Sequence, residues 1–169
     1  LTPTNESVQK ILIMWERHQG NTVNLNRLFK RVVEVQPGDP VAANNLAYTD
    51  LLLDSDVGHA SLLARRLATL APKNPFFATT YALALYKQGH AADALARLDA
   101  LSAAERSDPV RKLIYAVCLT GVGQGSQASD ILDGVVMYGM LPEERQLAET
   151  ARTEIARLDR AQGNRSRLL

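Results

Sequence analysis

The chain has little cysteine, few aromatics, no surplus of charge and no long apolar run. Cys118 is the single cysteine of 169 residues, which excludes an internal disulfide and a cysteine zinc cluster. That absence leaves the compartment open, cytoplasmic or periplasmic. Aromatics make up 5% against a hydrophobic fraction of 46%, much of it leucine and alanine. Close-packed helices suit that balance, whereas a β sandwich draws on Val, Ile, Tyr and Phe. Nineteen basic and eighteen acidic side chains leave a net charge of +1. A nucleic-acid binder gathers a basic excess to neutralise phosphates, so no nucleic-acid partner is expected. No apolar run approaches the ~20 residues of a membrane span, so direct membrane insertion of this segment is not expected. The sequence begins at Leu1 without a Met and shows no signal peptide, and it reads as a piece of a longer chain.

The seven prolines carry the most information. From Pro3 to Pro37 is 34 residues, from Pro40 to Pro75 is 35, from Pro75 to Pro109 is 34 and from Pro109 to Pro142 is 33, with Pro72 close to Pro75. Proline is excluded from helix interiors but fits a first turn. Prolines at such intervals mark where helices begin and end, and a 34-residue period signals repeats. Pro75, Tyr81, Ala82, Leu85, Gly89, Ala94, Leu98 and Asp99 each recur 34 residues later, as Pro109, Tyr115, Ala116, Leu119, Gly123, Ala128, Leu132 and Asp133.

Each block reads as a helical hairpin. Asn74–Gln88 has a helical apolar pattern stopped by Gly89. A second helix over Ala91 to about Ala104 carries Ala94, Leu95, Leu98 and Leu101 on one face. The short connection makes the two antiparallel neighbours. The same reading places helices at Asn5–His18 and Asn24–Val35, at Val41–Leu53 and Gly58–Leu70, and at Val110–Thr120 and Ser126–Met137. A last helix from Pro142 to about Arg160 opens with Glu143 and Glu144, favoured at a helix N-terminus. Repeat arrays need such a polar-backed cap. The fold class predicted is all-α. Four helix pairs occupy residues 1–138 (about 5–36, 40–71, 74–105 and 108–138), and a capping helix with a disordered tail at Gly163–Leu169 occupies 139–169.

Three sharper motifs fail on their chemistry. Gly121-Val122-Gly123-Gln124-Gly125-Ser126 looks like a phosphate loop but joins two helices instead of a strand and a helix. Asp54-Ser55-Asp56-Val57-Gly58 looks like a calcium loop, yet Arg65 stands where a bidentate Glu is required. Asp56 or a neighbour is expected to cap the next helix instead. His18, His59 and His90 sit near separate turns with no ligand spacing, and Cys118 has no basic neighbour in sequence. No catalytic residue, metal or cofactor is therefore expected. Asn44-Asn45 within a helix is unusual, and peptide contact and simple solvation are even readings.

Period and spacing resemble the tetratricopeptide repeat. The second-helix element is seen as Leu25…Phe29, Ala60…Ala64, Ala94…Leu98 and Ala128…Leu132, and the first-helix pair as Leu12-Ile13, Leu46-Ala47, Tyr81-Ala82 and Tyr115-Ala116. The closing proline is Pro37 and Pro72, with Arg106 in the third block and Pro142 displaced in the fourth. The resemblance implies a right-handed superhelical solenoid of four antiparallel helix pairs plus the C-terminal capping helix, its first helices lining a concave peptide-binding groove. The groove-facing side chains it implies are Lys10, Ile11, Met14, Asn44, Asn45, Tyr48, Phe76, Thr79, Thr80, Leu83, Lys87, Val110, Leu113, Ile114 and Val117. Only Lys10 and Asn45 fall on the slots with which some members grip a terminal carboxylate. An apolar lining with small hydroxyls favours the apolar face of a helix or a hydrophobic extended segment. The expected role is a binding module or assembly scaffold for a protein or peptide. The alternative is a homo-oligomerisation domain of a larger, even membrane-anchored, protein.

Overall fold

The structure, a computed structural model, describes the backbone of residues 6–166 and side chains from 8 to 161. Pro3 and Asn5, which the sequence reading placed at the start of the first block, lie outside the described residues. Ten helices and no strand are found among those described: α1 Glu6–His18, α2 Thr22–Val35, α3 Pro40–Leu52, α4 Val57–Leu70, α5 Pro75–Lys87, α6 Ala91–Asp99, α7 Ala103–Arg106, α8 Pro109–Gly121, α9 Gly125–Asp133 and α10 Pro142–Ser166. The chain is all-α over this span.

The helices start where local chemistry satisfies their free N–H groups. Pro40, Pro75 and Pro109 occupy first turns, each preceded by a capping side chain. Asp39 accepts from the Val41 and Ala42 amides, Asn74 from Phe76 and Phe77, and Asp108 from Val110 and Arg111, at 2.8–3.3 Å. The hairpin turns α1–α2, α5–α6 and α8–α9 contain Gly20, Gly89 and Gly123 at φ 67, 82 and 80, a region glycine enters without a Cβ penalty. The α3–α4 turn uses Asp54 and Asp56 at φ 52 and 47 instead. Asp56 occupies the cap position of α4 but makes no side-chain capping bond. The expected cap is absent there.

Three boundaries differ from the periodic reading. The second helix of the third block ends at Asp99, because Ser102 and Glu105 form a capping box that starts the separate turn α7. The second helix of the fourth block ends at Asp133, leaving residues 134–141 as a connection with Gly139 at φ 77. The last helix runs to Ser166, so the tail expected to be disordered is helical through that residue; 167–169 lie outside the described residues.

Packing runs along the chain. α3 lies against α2, α4 and α5; α5 against α4, α6 and α8; and α8 against α6, α9 and α10. Alanine makes these approaches close. Ala47, Ala60, Ala64, Ala82, Ala84, Ala94, Ala116 and Ala128 are completely buried, with Leu25, Leu98 and Leu132 filling the adjoining space. Polar ties reinforce the joints. Asn26 Nδ2 on α2 donates to Asp50 Oδ1 at 2.8 Å, and Tyr115 donates its hydroxyl to Asp99 at 2.9 Å.

Candidate functional site

The side chains expected to line one continuous groove fall into three environments. Leu83, Leu113, Ile114 and Val117 are 0–1% exposed and belong to the core, so they line no surface. The reason is the side-by-side packing of α3, α5, α8 and α10, which turns those positions toward neighbouring helices. Lys87 is no free groove cation either: it pairs with Asp54 across the α3–α4 turn.

On α1 the expected residues are free. Lys10 is exposed, Ile11 and Met14 are 65% and 72% exposed, and the neighbouring Trp15 is 59% exposed. With Val8 and Leu12 they form an apolar stripe at helical spacing. α1 packs against α2, and the stripe is left uncovered among the described residues. Met14 also lines a cleft of about 840 Å³ whose far wall is Met137, Tyr138, Gly139 and Met140. Trp15 and Tyr138 were missed in the sequence. Tyr138 follows the expected helix end and carried no periodic signal.

In the middle lies a polar cavity of about 200 Å³. Asn44, Asn45 and Tyr48 reach it from α3, Phe76, Thr79 and Thr80 from α5, and Val110 with Arg111 from α8. Arg17, Asp108 and Glu144 complete the wall. Seven of the expected groove residues therefore do converge, around a small pocket whose mouth holds the exposed Phe76 and Arg17.

One wall of this pocket comes from the start of α10. The 134–141 connection carries the start of α10 back to the first two helix pairs. There the Thr22 hydroxyl donates to Glu143. Tyr48 donates to Glu144 Oε1 at 2.8 Å, while Glu144 Oε2 accepts the Leu141 amide at 2.8 Å. Glu144 and Leu141 are completely buried. A Cβ on Gly20 would stand 3.4 Å from the Pro142 ring. Burial, then the Glu144 charge and hydrogen bond, hold the Tyr48 hydroxyl well above its usual pKa of 10.0. The sequence offered Glu143 and Glu144 as helix-dipole partners; it gave no hint that Glu144 meets Tyr48, 96 residues away.

Among the described residues no cluster of His, Cys, Asp and Glu could hold a metal ion. His18, His59 and His90 are exposed and far apart in the fold order, at the end of α1, in the first turn of α4 and just before α6. Burial pushes the Cys118 thiol up to about 12, which keeps it a thiol at neutral pH. No described helix is long and apolar enough to cross a membrane. The chain matches no family model, no curated protein and no solved structure.

Proposed function

We propose that this chain is a helical-repeat interaction module of the tetratricopeptide kind, whose task is to hold another polypeptide by an apolar face. The 34-residue recurrence and the succession of first helices α3, α5 and α8 packed on one another, with the capping helix α10 against α8, support an array of stacked hairpins in a right-handed superhelix. The observation that carries the functional reading is the uncovered stripe of Ile11, Met14 and Trp15 beside the Met14–Tyr138 cleft. Methionine and aromatic side chains adapt to varied apolar partners and dominate contact energies. The partner surface is thus moved from the interior of the expected groove to its α1 rim. An amphipathic helix presenting leucine-type anchors fits that chemistry.

The test is a pair of variants, Met14→Asp and Trp15→Asp, against Ala92→Asp on an exposed position of α6. Capture of the native partner should fall at least tenfold in the first two and stay level in the third, with helicity unchanged. Equal capture by all three removes α1 as the binding face.

The same stripe favours a second reading, self-association through α1. Light scattering over a hundredfold concentration range separates them. A strict monomer excludes self-association, and a dimer abolished by Trp15→Asp replaces the partner reading.

A further inference from the structure

The cavity between α3, α5, α8 and the start of α10 holds a buried acceptor without a donor. Asn44 is 5% exposed, and its side-chain Oδ1 lies inside the protein with no hydrogen-bond partner among the described residues. The hydroxyl protons beside it are already committed. Thr79 donates to the Pro75 carbonyl at 2.6 Å and Thr80 to the Phe76 carbonyl at 3.1 Å, so neither hydroxyl proton is free for a neighbour. Tyr48 gives its proton to Glu144. The Glu144 carboxylate is acceptor-only and completely buried.

The positive charges nearby do not meet this demand. Arg111 donates its Nε to the Glu105 carbonyl at 2.5 Å, lies 3.7 Å from Asp108 and stacks 5.2 Å over the Phe76 ring. Arg17 is exposed at the mouth. A buried acceptor without a donor is costly, and a buried carboxylate gains most from a cation that also donates hydrogen bonds. A group with a positive charge and three convergent N–H donors answers both needs.

We propose that this cavity binds a primary ammonium group, brought in by a small free amine or by a lysine side chain or amino terminus of a docked polypeptide. The volume of about 200 Å³ admits an alkyl ammonium but not a drug-sized ligand, for which pockets of roughly 300–1,000 Å³ are usual. The exposed Phe76 at the mouth offers an apolar face for the methylene stem. The site does not depend on the α1 surface, since a free amine can enter with no polypeptide partner present.

The experiment is an amide NMR titration of the whole chain at pH 7 and fixed ionic strength, with n-butylammonium chloride, potassium chloride and sodium butyrate as probes. Butylammonium should give saturable shifts at Asn44, Thr79 and Thr80; the potassium and butyrate arms should give none. Asn44→Leu, or Thr80→Val where the first variant loses helicity, should weaken binding roughly tenfold or more. N-acetyl-lysinamide and glycyl-glycinamide then distinguish a side-chain from a chain-end source. Unsaturating shifts, equal shifts with potassium, or a stronger response to butyrate overturn the proposal, and leave the cavity to water.

Discussion

Replacing Glu144 by Ala should be among the most damaging single changes in this protein. The side chain is completely buried and accepts two hydrogen bonds, from the Tyr48 hydroxyl and the Leu141 amide, each at 2.8 Å. Its loss leaves two donors without partners at about 1–3 kcal/mol each, partly offset because a carboxylate no longer has to be desolvated. The expected net cost is ~3 kcal/mol, a fall of roughly 6–12 °C in Tm for a domain of this size. Glu144→Gln keeps the shape and one acceptor, and should lose ~2 kcal/mol. Tyr48→Phe leaves Glu144 with one donor and should cost ~1–2 kcal/mol. Urea unfolding followed by circular dichroism at pH 7 gives all three, and the Tyr48→Phe/Glu144→Gln double variant closes a cycle with an expected coupling of about 1 kcal/mol or more. The alkaline limb offers an independent reading. Tyr48 holds its proton more tightly folded than unfolded, so its contribution is whole below pH 10 and is lost as pH rises above that value. Tyr48→Phe should remove that share of the decline. A Glu144→Ala cost under about 1 kcal/mol, or strict additivity in the cycle, would mean that the start of α10 is not held to α3 by this pair.

Ala94→Leu and Ala128→Leu should each overpack a fully buried crossing and cost about 1–3 kcal/mol, while Ala92→Leu on the exposed face of α6 changes stability little; equal effects in urea melts would contradict the register. Gly121→Ala places a methyl 2.7 Å from the Ala91 Cβ and should destabilise by about 1–3 kcal/mol, whereas Gly58→Ala meets nothing within 4 Å and should gain ~0.4–1 kcal/mol in the same assay. Cys118, its thiol raised by burial from 9.0 to about 12, should react with a disulfide reagent at pH 8 only as fast as the chain opens; its stabilising share is whole below pH 9 and lost as pH climbs toward 12, so Cys118→Ala should flatten that part of the stability profile.

Local chemistry made much of the helix pattern legible. Prolines cannot occupy helix interiors, so Pro40, Pro75, Pro109 and Pro142 marked four starts, and Gly20, Gly89 and Gly123 marked three turns. The capping residues Asp39, Asn74 and Asp108 stood in the same register one position earlier and were a readable signal left unused. The end of α6 was readable too, in the Ser102–Glu105 spacing of a capping box, and continued periodicity masked it.

The candidate site was legible only in fragments. The resemblance to the tetratricopeptide repeat placed Lys10, Ile11 and Met14 on a free face of the first helix, and they are exposed there. It could not say that Leu83, Leu113, Ile114 and Val117, carried over to the groove, would be covered by neighbouring helices. By itself the sequence determined helix type, starts and turns, because proline, glycine and capping side chains act within a few residues of themselves. The tertiary structure alone decided which side chains of each helix stay exposed, and that Glu144 at the start of α10 meets Tyr48 on α3. Those outcomes depend on contacts between residues far apart in the chain, fixed by how much each alanine crossing lets two helices approach, and no periodic pattern records that distance.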